Sequence, residues 1–264
     1  MLVVALAMAA AVVADGATLL VAQAGASAVL VATLLPPGGA GGLDRCLDAL
    51  IGGAVGVLVT AVLPADPVAP VRRSARALLD ELAAVLADAG DALRSRDVDA
   101  ARAVLRRARD THPLIESVRT ALREGREVTR VAPLVRRSRR ELGRYTELAE
   151  RADYAMRNAR VLARRTFSAL SDDEPPAPEL ADALGELAAA VGVLTAQLGR
   201  DGDRERAREP VLDVVRHSRV LAEDWSPGES EAVIIAQLRS IALDLLQGTG
   251  MTRAEALAAM RRDE

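Results

Sequence analysis

Apolar residues follow two patterns along this chain. Up to about residue 63 they form near-continuous runs, and beyond it they recur at helical spacing. Met1–Ala14 is wholly apolar and is interrupted by Asp15-Gly16. Ala17–Leu35 is a second run, of 19 residues, whose polar members are Thr18, Gln23, Ser27 and Thr33. At about 1.5 Å of rise per residue such a run crosses a hydrocarbon core about 30 Å thick. Pro36-Pro37-Gly38-Gly39 then breaks the helix. Leu43–Leu63 opens on Asp44, Arg45 and Asp48, turns apolar at Ala49 and stops at Pro64 and Pro67. The pattern predicts about three transmembrane helices, over residues 1–14, 17–35 and 45–63. The first is short for a full span. Met1–Ala14 lacks the basic start of a signal peptide, and the runs leave almost no polar face for a soluble hairpin.

After Pro67 the pattern changes to amphipathic helices throughout, and no strand-like alternation occurs. Val71, Leu78, Leu79, Leu82, Val85, Leu86 and Leu93 make a helical stripe over residues 70–95. Asp97 is placed to cap a helix reaching about Thr111. His112-Pro113 marks a break, after which Leu114, Ile115, Val118 and Leu122 resume the stripe. A long helix is expected over residues 134–170, and the stretch from Ser171 through Asp172-Asp173-Glu174 to Pro178 reads as a linker. Further helices are expected at 179–198, 204–223 and 229–246, the last ended by Gly248 and Gly250. Thr252 and Glu255 have capping-box spacing. The expected architecture is all-α: a transmembrane region, residues 1–66, followed by a cytoplasmic antiparallel helical bundle, residues 67–264.

Charge sharpens this division. Residues 1–66 hold one cation, Arg45, and four acids, Asp15, Asp44, Asp48 and Asp66. That leaves 33 of the 34 cations and 33 of the 37 acids for the remaining residues. Arg72, Arg73 and Arg76 follow the third run closely, which places that end in the cytoplasm by the positive-inside rule. The chain has no lysine, so every cation is arginine. With the Ala, Val and Gly bias this reads in part as high-GC codon usage. Aromatics are limited to one Phe, two Tyr and one Trp, which suits closely packed helices rather than sheets. A net charge of −3 argues against a dedicated nucleic-acid binder.

The chemistry of known enzymes is not visible. Cys46 is the lone cysteine, and His112 and His217 lack ligand spacing, so no metal site is expected. There is no Gly-rich phosphate loop and no nucleophile–His–acid grouping. The reading is therefore of a non-enzymatic protein without cofactor.

At residues 25–76 the sequence resembles a known family. Gly25-Ala-Ser-Ala-Val-Leu-Val-Ala-Thr-Leu-Leu-Pro-Pro-Gly-Gly39 is followed by Leu43-Asp-Arg-Cys-Leu-Asp-Ala-Leu-Ile-Gly-Gly-Ala54-Val55, then Leu63-Pro-Ala-Asp-Pro67 and Arg72-Arg73. These stretches resemble the last membrane spans and cytoplasmic entry of the FUSC family, the fusaric-acid-resistance and aromatic-acid-exporter-like membrane proteins. Tyr154-Ala-Met-Arg-Asn-Ala-Arg-Val-Leu162 and the run Val233–Leu246 with Gly248-Thr-Gly250 are similar to actinobacterial members. The resemblance implies a bundle of about six spans, a helical cytoplasmic domain, and efflux of aromatic carboxylic acids and related toxic compounds. With only three apolar runs, this chain would lack the first spans of that bundle. Either the start is placed too late, or this is a truncated or half-size protein that a homo-oligomer or a partner membrane subunit completes. The alternative is a membrane-anchored helical scaffold that binds a partner protein and transports nothing.

Several residues stand out as candidates. Gln23 and Ser27 share a helix face and fit either a pathway lining or, more plainly, interhelical hydrogen bonding. Arg45 could contact a departing carboxylate, and Asp48 could couple protons. The plainer reading is an interfacial Arg45–Asp48 pair. Gly52, Gly53 and Gly56 permit close helix packing. Arg136, Arg137, Arg139, Arg140 and Arg144 form a juxtamembrane cluster that fits either anionic lipid or a solvated face paired with Glu141, Glu147 and Glu150. Asp244, set among apolar residues, is expected to pair with Arg239 or another arginine. No aromatic residue precedes Tyr145, so the spans offer an aromatic acid only aliphatic walls.

Overall fold

The computed structural model describes residues 26, 27, 29, 47, 48, 50–56, 66, 68–131, 136–174, 176–198, 206–223 and 228–261, with residues 130, 131, 136, 137 and 218–223 described by backbone alone. The described residues are helical or in turns, with no strand among them. The chain divides into two compact units, Met1–Ala65 and Asp66–Glu264.

In the first unit the described residues 26, 27, 29, 47, 48 and 50–56 are helical and exposed. Among the described residues, no helix is long and apolar enough to cross a membrane. Most of the three expected spans lies outside those residues.

The second unit is a helical bundle. Its helices are α1 (Ala69–Ser95), α2 (Val98–Arg109), α3 (His112–Val131), α4 (Arg136–Ser171), α5 (Pro178–Ala196), α6 (Arg208–Glu223), α7 (Glu229–Gly248) and α8 (Arg253–Ala259). The stripe on α1 does what its spacing predicts: Val71, Leu78, Leu79, Leu82, Val85, Leu86 and Leu93 are all buried. Together with Met156 and Leu162 of α4, Leu180, Leu184 and Leu187 of α5, and Ile234, Leu238 and Ile241 of α7, these α1 leucines form the innermost core. Four helices therefore surround the centre, and α2, α3 and α6 flank them. Each enclosed aliphatic side chain contributes about 1.5–3 kcal/mol of transfer free energy.

Local chemistry sets the helix boundaries. Asp66 accepts from the Val68 amide at 3.0 Å and from Arg72 at 3.1 Å, ordering the entry to α1. α1 ends where Arg96 takes the left-handed conformation, φ 53°, and its amide and that of Asp97 return to Leu93 and Ala92. Asp97 then caps α2, accepting from the Asp99 and Ala100 amides at 2.9 Å each. α2 stops at Arg109, two residues short of the expected Thr111. Pro113 cannot donate to the preceding turn, so a new helix starts at His112. α6 begins at Arg208, after a turn at residues 206 and 207, with Pro210 tolerated in its first turn. The Thr252–Glu255 capping box forms as expected and opens α8.

Contacts between helices show their relative direction. Arg119 meets Asp153, Arg126 meets Thr146 and Arg139 meets Thr129, so α3 and α4 run in opposite directions. The pairs Leu148–Gly248, Asn158–Asp244 and Arg165–Glu229 show the same for α4 and α7.

Candidate ligand groove and the placement of the predicted residues

Gln23 and Arg45 lie outside the described residues. Ser27 and Asp48 are helical and exposed. Gly52, Gly53 and Gly56 are also helical, and a Cβ added at any of them would meet no atom within 4 Å. Arg136 and Arg137 open α4, with side chains outside the described set. Arg140 and Arg144 are exposed on that helix. Arg139, also exposed, reaches across to α3: its Nε and Nη2 donate to the Thr129 carbonyl at 3.0 and 2.7 Å, satisfying the end of α3.

Arg139 is one of three arginines with this task. Arg160 of α4 donates to the Ala108 carbonyl at 3.0 Å and to Thr111 Oγ1 at 2.6 Å, closing the end of α2. Arg208 of α6 reaches Thr249 Oγ1 at 3.0 Å and its carbonyl at 3.3 Å, closing the end of α7. The last carbonyls of a helix lack intrahelical donors and carry partial negative charge, so a guanidinium fork suits them. The arginine bias of the sequence thus supplies helix caps, a use that reading it as codon bias does not bring out.

Asp244 on α7 does not pair with Arg239. Five residues apart on one helix, the two side chains point about 140° away from each other. Asp244 instead accepts from Asn158 Nδ2 of α4 at 3.0 Å. Burial pushes its carboxyl up to about 6, against the opposing pull of Arg151, the Asn158 hydrogen bond and Arg253.

A concavity of about 620 Å³ lies among α1, α3 and α4. Leu78 of α1, Ile115, Val118 and Leu122 of α3, and Ala149 of α4 give it an aliphatic floor. Arg119, Arg123 and Arg126 follow one another at i, i+4 and i+7, hence on one face of α3. Glu150, Asp153, Tyr154 and Arg157 stand across from them on α4.

The ion pairs in this groove are unevenly shared. Arg119 is held by Glu116 at 2.7 Å and by Asp153 at 3.3 Å, and Arg157 is held by Asp153 at 2.7 Å. Arg123 instead donates to the Thr120 hydroxyl at 3.1 Å and Arg126 to the Thr146 hydroxyl at 3.3 Å. Among the described residues, neither meets a carboxylate within ion-pair range. Tyr154, 48% exposed, carries Arg157 and Arg151 against its ring at 5.5 and 5.8 Å from the centroid. The arrangement can bind an anion beside an apolar surface. The i, i+4, i+7 spacing of Arg119, Arg123 and Arg126 was the available signal, but the floor comes from three helices and has no sequence signature. Among the described residues no group of three or more His, Cys, Asp or Glu could hold a metal ion.

No family model matches the chain, and no solved structure matches it. It is similar to an uncharacterized protein of Corynebacterium glutamicum, with 32% identity over 238 residues, or 88% of this chain. The chain spans 61% of the length of that protein.

Proposed function

We propose that this protein is a FUSC-type membrane component that exports small organic acids or related toxic compounds. In this reading residues 1–66 lie in the plasma membrane as about three spans, and residues 67–264 form a cytoplasmic antiparallel bundle. The protein works as a homo-oligomer or with a partner membrane subunit. The observation that carries the reading is the abrupt change of regime after residue 66, from one cation among apolar runs to 33 arginines. The exposure of Leu47, Leu50, Ile51 and Val55 on one short helical stretch supports it, because such a surface calls for an apolar surrounding. Deleting the gene should raise sensitivity to, and accumulation of, at least one amphiphilic acid in a broad panel. Unchanged sensitivity and accumulation across the panel would reject export.

The second reading, a membrane-anchored scaffold, is favoured by the closed core of the bundle and the lack of aromatics before Tyr145. Gln23→Ala, Ser27→Ala and Arg45→Gln separate the two. An exporter loses flux at unchanged protein level, and a scaffold tolerates all three.

A further inference from the structure

We propose that the end of the bundle built from the start of α1, the end of α3 and the start of α4 lies on an anionic phospholipid surface, its exposed arginines on the lipid phosphates. Such docking requires residues 1–66 to be membrane spans, as proposed above, and does not require export.

Side-chain contacts gather these helix ends. Arg72 of α1 reaches Glu141 of α4 at 3.8 Å, and Arg139 of α4 donates to the Thr129 carbonyl of α3 at 2.7 Å. Residues 66–76, 123–131 and 136–144 are thereby brought to one end, and they hold eleven arginines against Asp66, Glu124, Glu127 and Glu141. The opposite end is the reverse. Arg94 meets Asp182 at 2.9 Å, Arg165 meets Glu229 at 3.8 Å, and the Ala177 amide donates to Glu231 at 3.1 Å. These contacts gather the ends of α1 and α4 with the starts of α5 and α7. There, residues 88–99, 164–182 and 229–231 hold eleven acids against four arginines. A chain with a net charge of −3 thus sets its positive charge at one end of the bundle and its negative charge at the other. The 36 residues of α4 rise roughly 50 Å between them. That is several times the screening length of about 8 Å at physiological salt, so a flat charged surface feels one end at a time.

The position and make-up of the basic end point to lipid. α1 opens at Ala69, directly after the first unit ends at Ala65, so the basic end is the one nearest in the chain to the expected spans. Proximity in sequence accounts for Arg72, Arg73 and Arg76, but the arginines of α3 and α4 arrive there only through the fold. Arg73, Arg76, Arg123, Arg126, Arg140 and Arg144 are exposed, each within about 12 Å of helix rise from its helix end. Among the described residues, Arg73, Arg76 and Arg140 meet no carboxylate within ion-pair range. Glu147 and Glu150, the next acids along α4, lie one to two turns farther from this end. A guanidinium fork matches a phosphate, and clustered arginines beside a membrane gain from the negative surface potential. Val128, 48% exposed near the end of α3, suits the boundary between headgroups and acyl chains. The three stretches contain no aromatic residue, so they offer no stacking platform to a single-stranded nucleic acid.

The test places the full chain in nanodiscs of phosphatidylcholine alone and of phosphatidylcholine with about 30% phosphatidylglycerol. Arginines are footprinted with phenylglyoxal, and the rate at each is read by mass spectrometry. In the anionic discs Arg73, Arg76, Arg140 and Arg144 should react at least about threefold more slowly, and about 0.5 M sodium chloride should abolish the difference. Arg94 and Arg102, toward the acidic end, should react equally in both discs. The triple variant Arg73→Glu/Arg76→Glu/Arg140→Glu should return Arg144 to its rate in phosphatidylcholine. Equal rates in both discs, or protection of Arg144 retained by the triple variant, would overturn the proposal. So would protection of these arginines by an RNA duplex in phosphatidylcholine discs with none from phosphatidylglycerol, which would assign the end to nucleic acid. If the triple variant fails to fold, the comparison of lipids on the unaltered chain and the milder Arg140→Gln still decide. A chain that does not stay with phosphatidylcholine discs overturns the membrane reading as well, whereas one that stays without lipid-dependent protection overturns the docking alone.

Discussion

Two seams of the bundle show opposite ways of joining helices. α1 meets α5 through small residues: a Cβ on Gly90 would lie 2.8 Å from the Ala181 carbonyl oxygen and 3.4 Å from Leu184 Cβ. Backbones nearly touch there, and the seam is dry. α3 meets α4 through long side chains, Arg119 to Asp153 and Arg126 to Thr146, and a groove remains between them. In the first seam, dispersion and buried area hold the helices together, with the exposed Arg94–Asp182 pair at 2.9 Å on its rim. In the second, charged heads bridge a gap that water reaches. The difference teaches how composition limits packing. With 2% aromatic residues, few side chains can fill an intermediate gap.

The dry seam should be the fragile one. Gly90→Val would drive a branched side chain into the Ala181 carbonyl, which cannot swing aside as a side-chain tip can. We expect a loss of about 3 kcal/mol, read as a lowered denaturation midpoint of the full chain. A loss below about 1 kcal/mol would mean the seam yields and the contrast is overstated.

The α4–α7 contact tests how a mostly dry seam carries a charge. Burial raises the Asp244 carboxyl to about 6, above the ordinary carboxylate range. Between roughly pH 4 and 6 the folded chain keeps a proton that the unfolded chain has released. Stability therefore falls as pH rises through that window and stays lower above it. Asp244→Asn should remove this fall and gain about 1.5 kcal/mol at pH 8, with little change at pH 4. A melting profile with the same pH slope in both proteins would rule the assignment out.

A smaller effect is expected at Thr166, whose hydroxyl is buried in α4 and has no hydrogen-bond partner among the described residues. Thr166→Val keeps the shape and removes the unpaired group, which should stabilise the chain by about 1 kcal/mol in chemical denaturation. The smallest belongs to the wet seam. Arg126→Gln should change stability by less than about 0.5 kcal/mol, because an exposed arginine on a hydroxyl contributes little. A loss as large as that of Gly90→Val would show that the groove is held together by its arginines.

Periodicity made the helices legible, and long-range pairing was hidden from it. The α1 stripe, the Asp97 cap and the Thr252–Glu255 box all depend on residues within a turn or two of each other, so spacing alone revealed them. Asn158 and Asp244 are 86 residues apart, and nothing in either local pattern points to the other. The same holds for Arg160, whose partners at and just beyond the end of α2, Ala108 and Thr111, lie 52 and 49 residues away. The candidate groove was half legible: its arginines share a helical face, but which α4 groups stand across from Arg123 and Arg126, Thr146 and Glu150 among them, depends on how α3 lies against α4. Among the residues singled out beforehand, Arg139 shows the limit best. Its neighbours in sequence suggested a lipid-facing cluster, and its own guanidinium closes the end of α3.

The three arginine caps have a consequence for how the bundle opens. Helix ends ordinarily fray first, one turn at a time, with little help from the rest of the molecule. Here the ends of α2, α3 and α7 are held by side chains rooted in α4 and α6. Unwinding any of these ends breaks a bond to a second helix. The bundle is therefore wired against piecemeal loss. Amides in the last turns of α2, α3 and α7 are therefore expected to exchange with the core in one slow cooperative unit, not as a rapidly exchanging fringe.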